Sequence, residues 1–264
     1  MNTYRGHPVL SHTDLEARSD VFVVRDLDTI RLVEGLKLPP VRNDTLAGEH
    51  CIKPHDQPSV REKLRLFGGR AAQQVYSDVL RGEGSTPSRE YQEETMHVAI
   101  LRAGLHPMQG AEEIFPYSVF SLAATARAHS DDFEIPSITT GYCPVTKNRL
   151  EGKKVLVYES VFASGGSTDK AVRDLIEAGG LPEIMVVIAL GATSEGLSSL
   201  VGSFKDLGTQ VNFFLGEIYP LGSFDEHTYV VAKEQRSVFG YEGRVLSSPH
   251  QTLGDVGDRA WGAK

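Results

Sequence analysis

Between Lys154 and Thr168 the chain reads Lys154-Val-Leu-Val-Tyr-Glu159-Ser160-Val161-Phe162-Ala163-Ser164-Gly165-Gly166-Ser167-Thr168. A buried apolar run ends in one carboxylate, and a loop of small residues then opens an amphipathic stretch. Gly165 and Gly166 let the backbone approach a ligand closely, and loop N–H groups at a helix start form an anion site. Ser164, Ser167 and Thr168 add hydroxyl donors. No lysine follows the glycines, so this is not a Walker loop, and the glycine spacing is not that of a dinucleotide fingerprint. The acid before the loop suits a sugar diol beside a phosphate. On the local pattern alone, an ordinary strand-to-helix turn capped by small residues reads the same way.

Those residues need a frame that delivers them to one place. After Gly82 short apolar runs alternate with amphipathic segments. Val98 to Leu101, Tyr117 to Leu122, Val155 to Tyr158, Ile184 to Leu190 and Val211 to Leu215 read as buried strands. Ser167 to Ala178 and Ser194 to Phe204 read as helices, as does Ser59 to Leu80, where Gly68-Gly69 weakens the propensity. The alternation predicts an α/β fold with a mostly parallel central sheet flanked by helices. Ligands of such sheets sit beyond the carboxyl ends of the strands. The first 58 residues are polar and broken by Pro39, Pro40, Pro54 and Pro58. They read as an N-terminal arm with a short strand at Val21 to Val24 and a helix near Leu27 to Leu36.

Composition sets outer bounds. The 264 residues are 40% hydrophobic and 23% charged, ordinary for a globular chain, and the net charge of −8 argues against a nucleic-acid surface. Cys51 and Cys143 form neither a disulfide framework nor a zinc site by themselves. The start MNTYRGHPVL has no signal-peptide core and no run reaches membrane-spanning length, so the expectation is a cytoplasmic protein without a membrane partner.

The loop at 159–168 resembles the phosphoribosyl pyrophosphate signature in the form carried by the uracil phosphoribosyltransferase family. Two further segments match that family in order. Ile100-Leu101-Arg102-Ala103-Gly104-Leu105 is similar to its pyrophosphate loop, and Leu253-Gly254-Asp255-Val256-Gly257-Asp258-Arg259-Ala260-Trp261-Gly262 to its C-terminal signature. Ser194-Glu195-Gly196-Leu197 fits a weaker pattern. The resemblance runs from about Met96 to Lys264.

It implies a type I phosphoribosyltransferase domain over 59–264 with a C-terminal hood at 215–264, behind the arm at 1–58. It implies transfer of phosphoribose from phosphoribosyl pyrophosphate to uracil or a related small heterocyclic base, with Mg2+ as cofactor. Ala163, Ser164, Gly165, Gly166, Ser167 and Thr168 would hold the 5′-phosphate, and Glu159 the ribose hydroxyls. Arg102 would neutralise departing pyrophosphate, next to a strained or cis peptide bond with Leu101. Arg127 would lie on a loop closing over pyrophosphate, with Asp255 near the magnesium, through water, and the base. Tyr229, Val230 and Gly254 would line the base site. No direct protein metal ligand is implied, and a homodimer is the default assembly.

Each position also has a plainer reading. Arg102 fits a strand-end arginine, Arg127 with Asp131-Asp132 a solvated loop, and His106 a cap or surface residue rather than a proton shuttle. Lys153 and Lys154 fit a solvated strand start, Glu93-Glu94 a solvated pair before a strand, and Trp261 core packing. The sequence departs from the family where Glu159 replaces aspartate, Ser160 replaces proline and Ser164 replaces threonine. An extra segment, 234–252, also interrupts the hood, which puts the identity of the base in doubt. Two alternatives stay open: a transferase for a non-uracil base in specialised nucleoside metabolism, and a non-catalytic phosphoribosyl pyrophosphate or nucleotide-binding regulator.

Overall fold

Seven strands form the central sheet, in the order β3 (Val21–Val23), β11 (Gln210–Leu215), β9 (Ile184–Ala189), β7 (Lys154–Tyr158), β4 (Thr95–Leu101), β5 (Val119–Arg127) and β6 (Ile138–Tyr142). A computed structural model describes residues 3–4, 7–8, 10–36, 57–127, 138–143, 145–162 and 164–219. All neighbours in the sheet run parallel except β6, which pairs antiparallel with β5.

The strands are continuous apolar runs because both sheet faces are covered. Their side chains alternate between two cores. Val155, Val157, Met185, Val187, Val98 and Ile100 join one core with Ala171, Val172 and Leu175 of α6 (Gly166–Gly179) and Leu197 and Leu200 of α7 (Ser194–Ser203). Leu156, Tyr158, Val186, Ile188 and Ala99 face the other way. There they meet Leu64, Phe67 and Ala71 of α3 (Gln57–Gln74) and Met108 and Ala111 of α5 (Leu105–Glu112). Burial of side chains such as Phe67 contributes on the order of 2 kcal/mol each.

Several expected elements change shape. The helix expected to reach Leu80 leaves the α form at Gln74 and continues as a π-turn over Val75–Val79. There Tyr76 packs on Gly82 and its hydroxyl donates to the Glu83 carbonyl at 2.5 Å. Gly68-Gly69, a weakness by propensity, is a packing device: a methyl on Gly68 would lie 1.8 Å from the Pro107 carbonyl oxygen of α5. Strand β5 starts at Val119 rather than Tyr117, because the Tyr117 amide and Ser118 hydroxyl are engaged by the buried Gln92.

The N-terminal strand β3 belongs to the central sheet, pairing Val21 with Phe213 and Val23 with Leu215. Helix α2 (Leu27–Glu34) follows it, close to α3. Asp26 binds Gln74, and with Asp28 it pairs Arg70. The hairpin of β1 (Thr3–Tyr4) and β2 (His7–Pro8) lies on α7, where a methyl on Gly202 would strike His7.

A second, three-stranded parallel sheet joins β8 (Val161–Phe162), β10 (Gly191–Thr193) and β12 (Ile218–Tyr219) in the order β12-β10-β8. Each is the continuation, after a short break, of β7, β9 or β11. Three central strands thus step sideways at their carboxyl ends before the chain turns into its next element. No helix among the described residues is long and apolar enough to cross a membrane.

Candidate active site

From β4 the chain winds outward through α5 to β5, and from β7 it winds the opposite way through α6 to β9. The direction therefore reverses between β4 and β7, and the crevice beyond their carboxyl ends is the switch point where open α/β sheets bind ligands. The two loops singled out in the sequence, 101–105 and 159–168, leave those two strands.

The loops also touch. Gly104 follows Arg102 and Ala103, and a methyl there would lie 2.0 Å from the Tyr158 carbonyl oxygen. Only glycine lets the Arg102 turn lie directly on the end of β7, one residue before Glu159. The peptide bond between Leu101 and Arg102 is cis, and Arg102 is exposed.

On the β7 side, Glu159 keeps the sheet ladder through its amide, which donates to the Ile188 carbonyl at 3.0 Å. Its carboxylate turns back onto the next residue, with Oε1 accepting from the Ser160 amide at 2.7 Å and from Ser160 Oγ at 3.3 Å. Past β8, Gly165 takes a left-handed φ of 73° and no side chain caps α6. A methyl at Gly165 would meet the Gly196 carbonyl oxygen at 2.8 Å and Leu200 Cγ at 2.9 Å, so glycine is required twice over. The N-cap Gly165 supplies no side-chain cap to the 14-residue helix, and the Gly166 amide has Ser164 Oγ at 3.5 Å, an arrangement of amides and hydroxyl suited to an anion. Thr168 is buried behind the loop, and the Asp169 amide donates to the Gly165 carbonyl at 2.8 Å.

The neighbouring helix α7 starts differently. Thr193 caps it, its hydroxyl accepting from the Gly196 amide at 2.9 Å. Glu195 in its first turn is half-buried, and desolvation raises its carboxyl pKa.

The structure thus brings together Arg102, Glu159, Ser164, Gly165, Gly166, Ser167 and Thr168. Arg127 ends β5, its backbone opposite Ile138, three residues beyond the pairing of Leu101 with Ala124. That overhang is about 10 Å of strand past β4. Ala163, Tyr229, Val230, Gly254, Asp255, Asp131, Asp132, Trp261 and the segment 234–252 lie outside the described residues. His106 is buried rather than at the surface, with Nδ1 2.8 Å from Gln109 Oε1, and burial lowers its pKa. Lys154 sits at the opposite strand end, with Glu94 at 3.3 Å and Glu183 at 3.6 Å.

Two participants escaped the sequence. The bond from Ser160 to Glu159 needs a backbone break that no motif displays. The close seat of Gly104 on Tyr158 depends on β4 and β7 being neighbours, although Gly104 itself stands in the matched motif.

The model of the uracil phosphoribosyltransferase family matches residues 71–217, more than half of the 264. The chain belongs to the uracil phosphoribosyltransferase family. Its sheet and flanking helices are the type I phosphoribosyltransferase fold. A uracil phosphoribosyltransferase of Kocuria rhizophila is 30% identical over 166 residues, which is 62% of this chain and 64% of that protein. Another, of Aquifex aeolicus, is 28% identical over 170 residues, covering 64% of this chain and 66% of that one. The chain thus spans somewhat under two thirds of these curated relatives. The solved AQ2163 protein of Aquifex aeolicus is similar in fold, with a TM-score of 0.59 at 20% identity over 92% of this chain and 98% of that one.

Proposed function

We propose that this family member transfers the 5-phosphoribosyl group from phosphoribosyl pyrophosphate to uracil or a related small heterocyclic base. The observation that carries this reading is the pair of loops at the switch point: an uncapped helix start behind a carboxylate, with an arginine turn seated on the same strand end. In the reaction the ribose C1–O bond to pyrophosphate breaks and a C1–N bond to the base forms. The base nitrogen gives up its proton, and pyrophosphate leaves. Charge develops on the sugar ring and on the departing diphosphate, so positioning and electrostatic stabilisation matter more than a strong nucleophile.

In this reading the amides of 164–168, with the hydroxyls of Ser164, Ser167 and Thr168, receive the 5′-phosphate. Ala163 belongs to the same loop by sequence. Glu159 accepts hydrogen bonds from the ribose hydroxyls and so orients C1 towards the base. Arg102 neutralises the departing pyrophosphate, and Arg127, at the tip of the overhanging β5, supplies a second positive charge. We extend the reading to Asp255, Tyr229, Val230 and Gly254 as the groups that face the base.

Magnesium fits this site as a guest of the donor. Among the described residues no group of three or more His, Cys, Asp or Glu side chains could hold a metal ion. Glu159, the acid that follows β7, fits the way Mg2+ is held at phosphate sites, by ligand oxygens and water with few protein carboxylates. Glu159, and Asp255 through water, are the chain's own candidates for its shell. Bound there, the ion would offset charge on the diphosphate.

Arg102→Ala tests the assignment. Loss of an electrostatic partner of the leaving group should lower turnover about a hundredfold or more while thermal unfolding stays unchanged. Unchanged turnover would remove Arg102 from the reaction.

A further inference from the structure

We propose that Ser160 is a positioning residue for the donor site, and that Glu159 and Ser160 act as one coupled unit. The inference rests on the ribose reading of Glu159 given above. It starts from a local break in the sheet ladder. The Glu159 amide bonds to the Ile188 carbonyl, so in an unbroken parallel ladder the Leu190 amide would meet the Glu159 carbonyl. It meets the Ser160 carbonyl instead, at 2.9 Å. The ladder is broken locally at the step from β7 to β8, although the register is the same on both sides, Tyr158 opposite Ile188 and Val161 opposite Gly191, and the Ser160 amide bonds to the Glu159 side chain.

That amide cannot be left alone. Ser160 is only 7% exposed, and a buried N–H without an acceptor is strongly disfavoured. The Glu159 carboxylate is its acceptor at 2.7 Å, with the Ser160 hydroxyl adding a second donor at 3.3 Å. Bonds of this kind, with one charged partner, are stronger than neutral ones. The benefit runs both ways. Glutamate has more rotatable bonds than aspartate and loses more freedom when its end is fixed. The Ser160 amide fixes it before a ligand arrives, so the acceptor for the ribose is pre-oriented.

The pair therefore has two self-consistent states and two inconsistent ones. Glutamate before a residue with an N–H has its anchor, and aspartate before proline has no N–H to satisfy. Glutamate before proline loses the anchor. Aspartate before serine is too short to curl back and leaves the amide without its acceptor. Hence Ser160 is matched to the length of Glu159.

The test is a double-substitution cycle on the full chain, reading the affinity for phosphoribosyl pyrophosphate with Mg2+ by calorimetry and the KM for each substrate. Ser160→Ala keeps the amide and should stay within about threefold of the parent, since it gives up only the longer bond. Ser160→Pro and Glu159→Asp should each weaken donor affinity about tenfold, with the KM of the base unmoved. The double variant should regain most of that loss, which a general packing role for Ser160 would not produce.

Additive losses, or a Glu159→Asp variant with parental donor affinity, would overturn the proposal. The second result reads out even if Ser160→Pro fails to fold. Glu159→Ala separates the two levels. Unchanged donor affinity there removes the ribose reading and this inference with it. Weakened affinity together with an additive cycle removes this inference alone.

Discussion

Helices α6 and α7 begin in the same way and end up doing different work. Each follows a central strand that steps sideways into the small sheet, β7 to β8 or β9 to β10, and each starts at the carboxyl edge. At α7 the chain satisfies its own helix: Thr193 supplies the cap, and the residues around it are buried. At α6 the turn is longer, Gly165 adopts a left-handed conformation, and no side chain caps the helix. Leaving a helix start uncapped costs about 1 kcal/mol of stability. In the proposed reading a ligand phosphate recovers that stability, so the difference between the two turns favours the α6 turn as the one that binds it. The two are also in contact, since the Gly196 carbonyl of α7 fills the space that a side chain at Gly165 would occupy.

The largest expected effect comes from making the two turns alike. Gly165→Ala would push a methyl to within 2.8 Å of the Gly196 carbonyl at a φ of 73°. Backbone strain of this kind is worth about 2 kcal/mol. Stability should fall by at least that, and donor affinity by about a hundredfold as the amides move off the phosphate. Retained affinity, measured by calorimetry, would break the comparison, because the loop would then not depend on its left-handed residue.

A second test concerns the two strands that carry the loops. On the sheet face away from α6, His97 of β4 and Tyr158 of β7 are joined, Nδ1 to hydroxyl at 2.8 Å, in full burial. Burial pushes the His97 imidazole down to about 3 from 6.5, so it stays neutral in the folded chain. Below 6.5 the unfolded chain binds a proton that the folded one refuses. The stabilising contribution is therefore complete above about pH 6.5 and is lost as the pH falls towards 3. Between pH 7 and pH 5 this one group should cost about 2 kcal/mol. Thermal unfolding of His97→Gln should show that much less acid sensitivity than the parent. Equal slopes would show that this histidine does not control the strand pair.

The smallest effect belongs to α7. Thr193→Ala should cost about 1 kcal/mol through the lost cap. Donor affinity should stay within about twofold, because α7 supports the site without offering its amides to the ligand. A large loss of affinity would mean that the two helix starts share the anion, which would sharpen the comparison in the other direction.

Much of this was legible in the sequence for a simple reason. The runs Val155 to Tyr158 and Ile184 to Leu190 are strands with both faces buried, and composition alone marks such segments. The glycines at 165 and 166 and the acid at 159 fit a phosphate loop, but by themselves they fit an ordinary capped turn equally well, and the family became readable through the ordered motifs around them. The illegible parts depend on partners far away in the chain. Strand β3 is readable as the apolar cluster Val21 to Val24, but its place is not: it joins the central sheet because β11 offers an open edge. Strand β6 is the weakly apolar Ile-Thr-Thr-Gly-Tyr and forms because β5 overhangs its neighbour. Gly68-Gly69 reads as a helix flaw until Pro107 and Gly110 arrive against it. The role of Ser160 waits on a local break in the ladder between β7 and β9 that no local pattern records. The hood residues Tyr229, Val230, Gly254 and Asp255 remain known by their place in the sequence.

The most direct test of the central claim is pyrophosphate release from phosphoribosyl pyrophosphate with Mg2+, across uracil, cytosine, purines, orotate and five-membered heterocycles. The account predicts release that depends on the base, with uracil or a close analogue of its polar edge the best acceptor. No release with any base, from a folded chain that binds the donor, would contradict it.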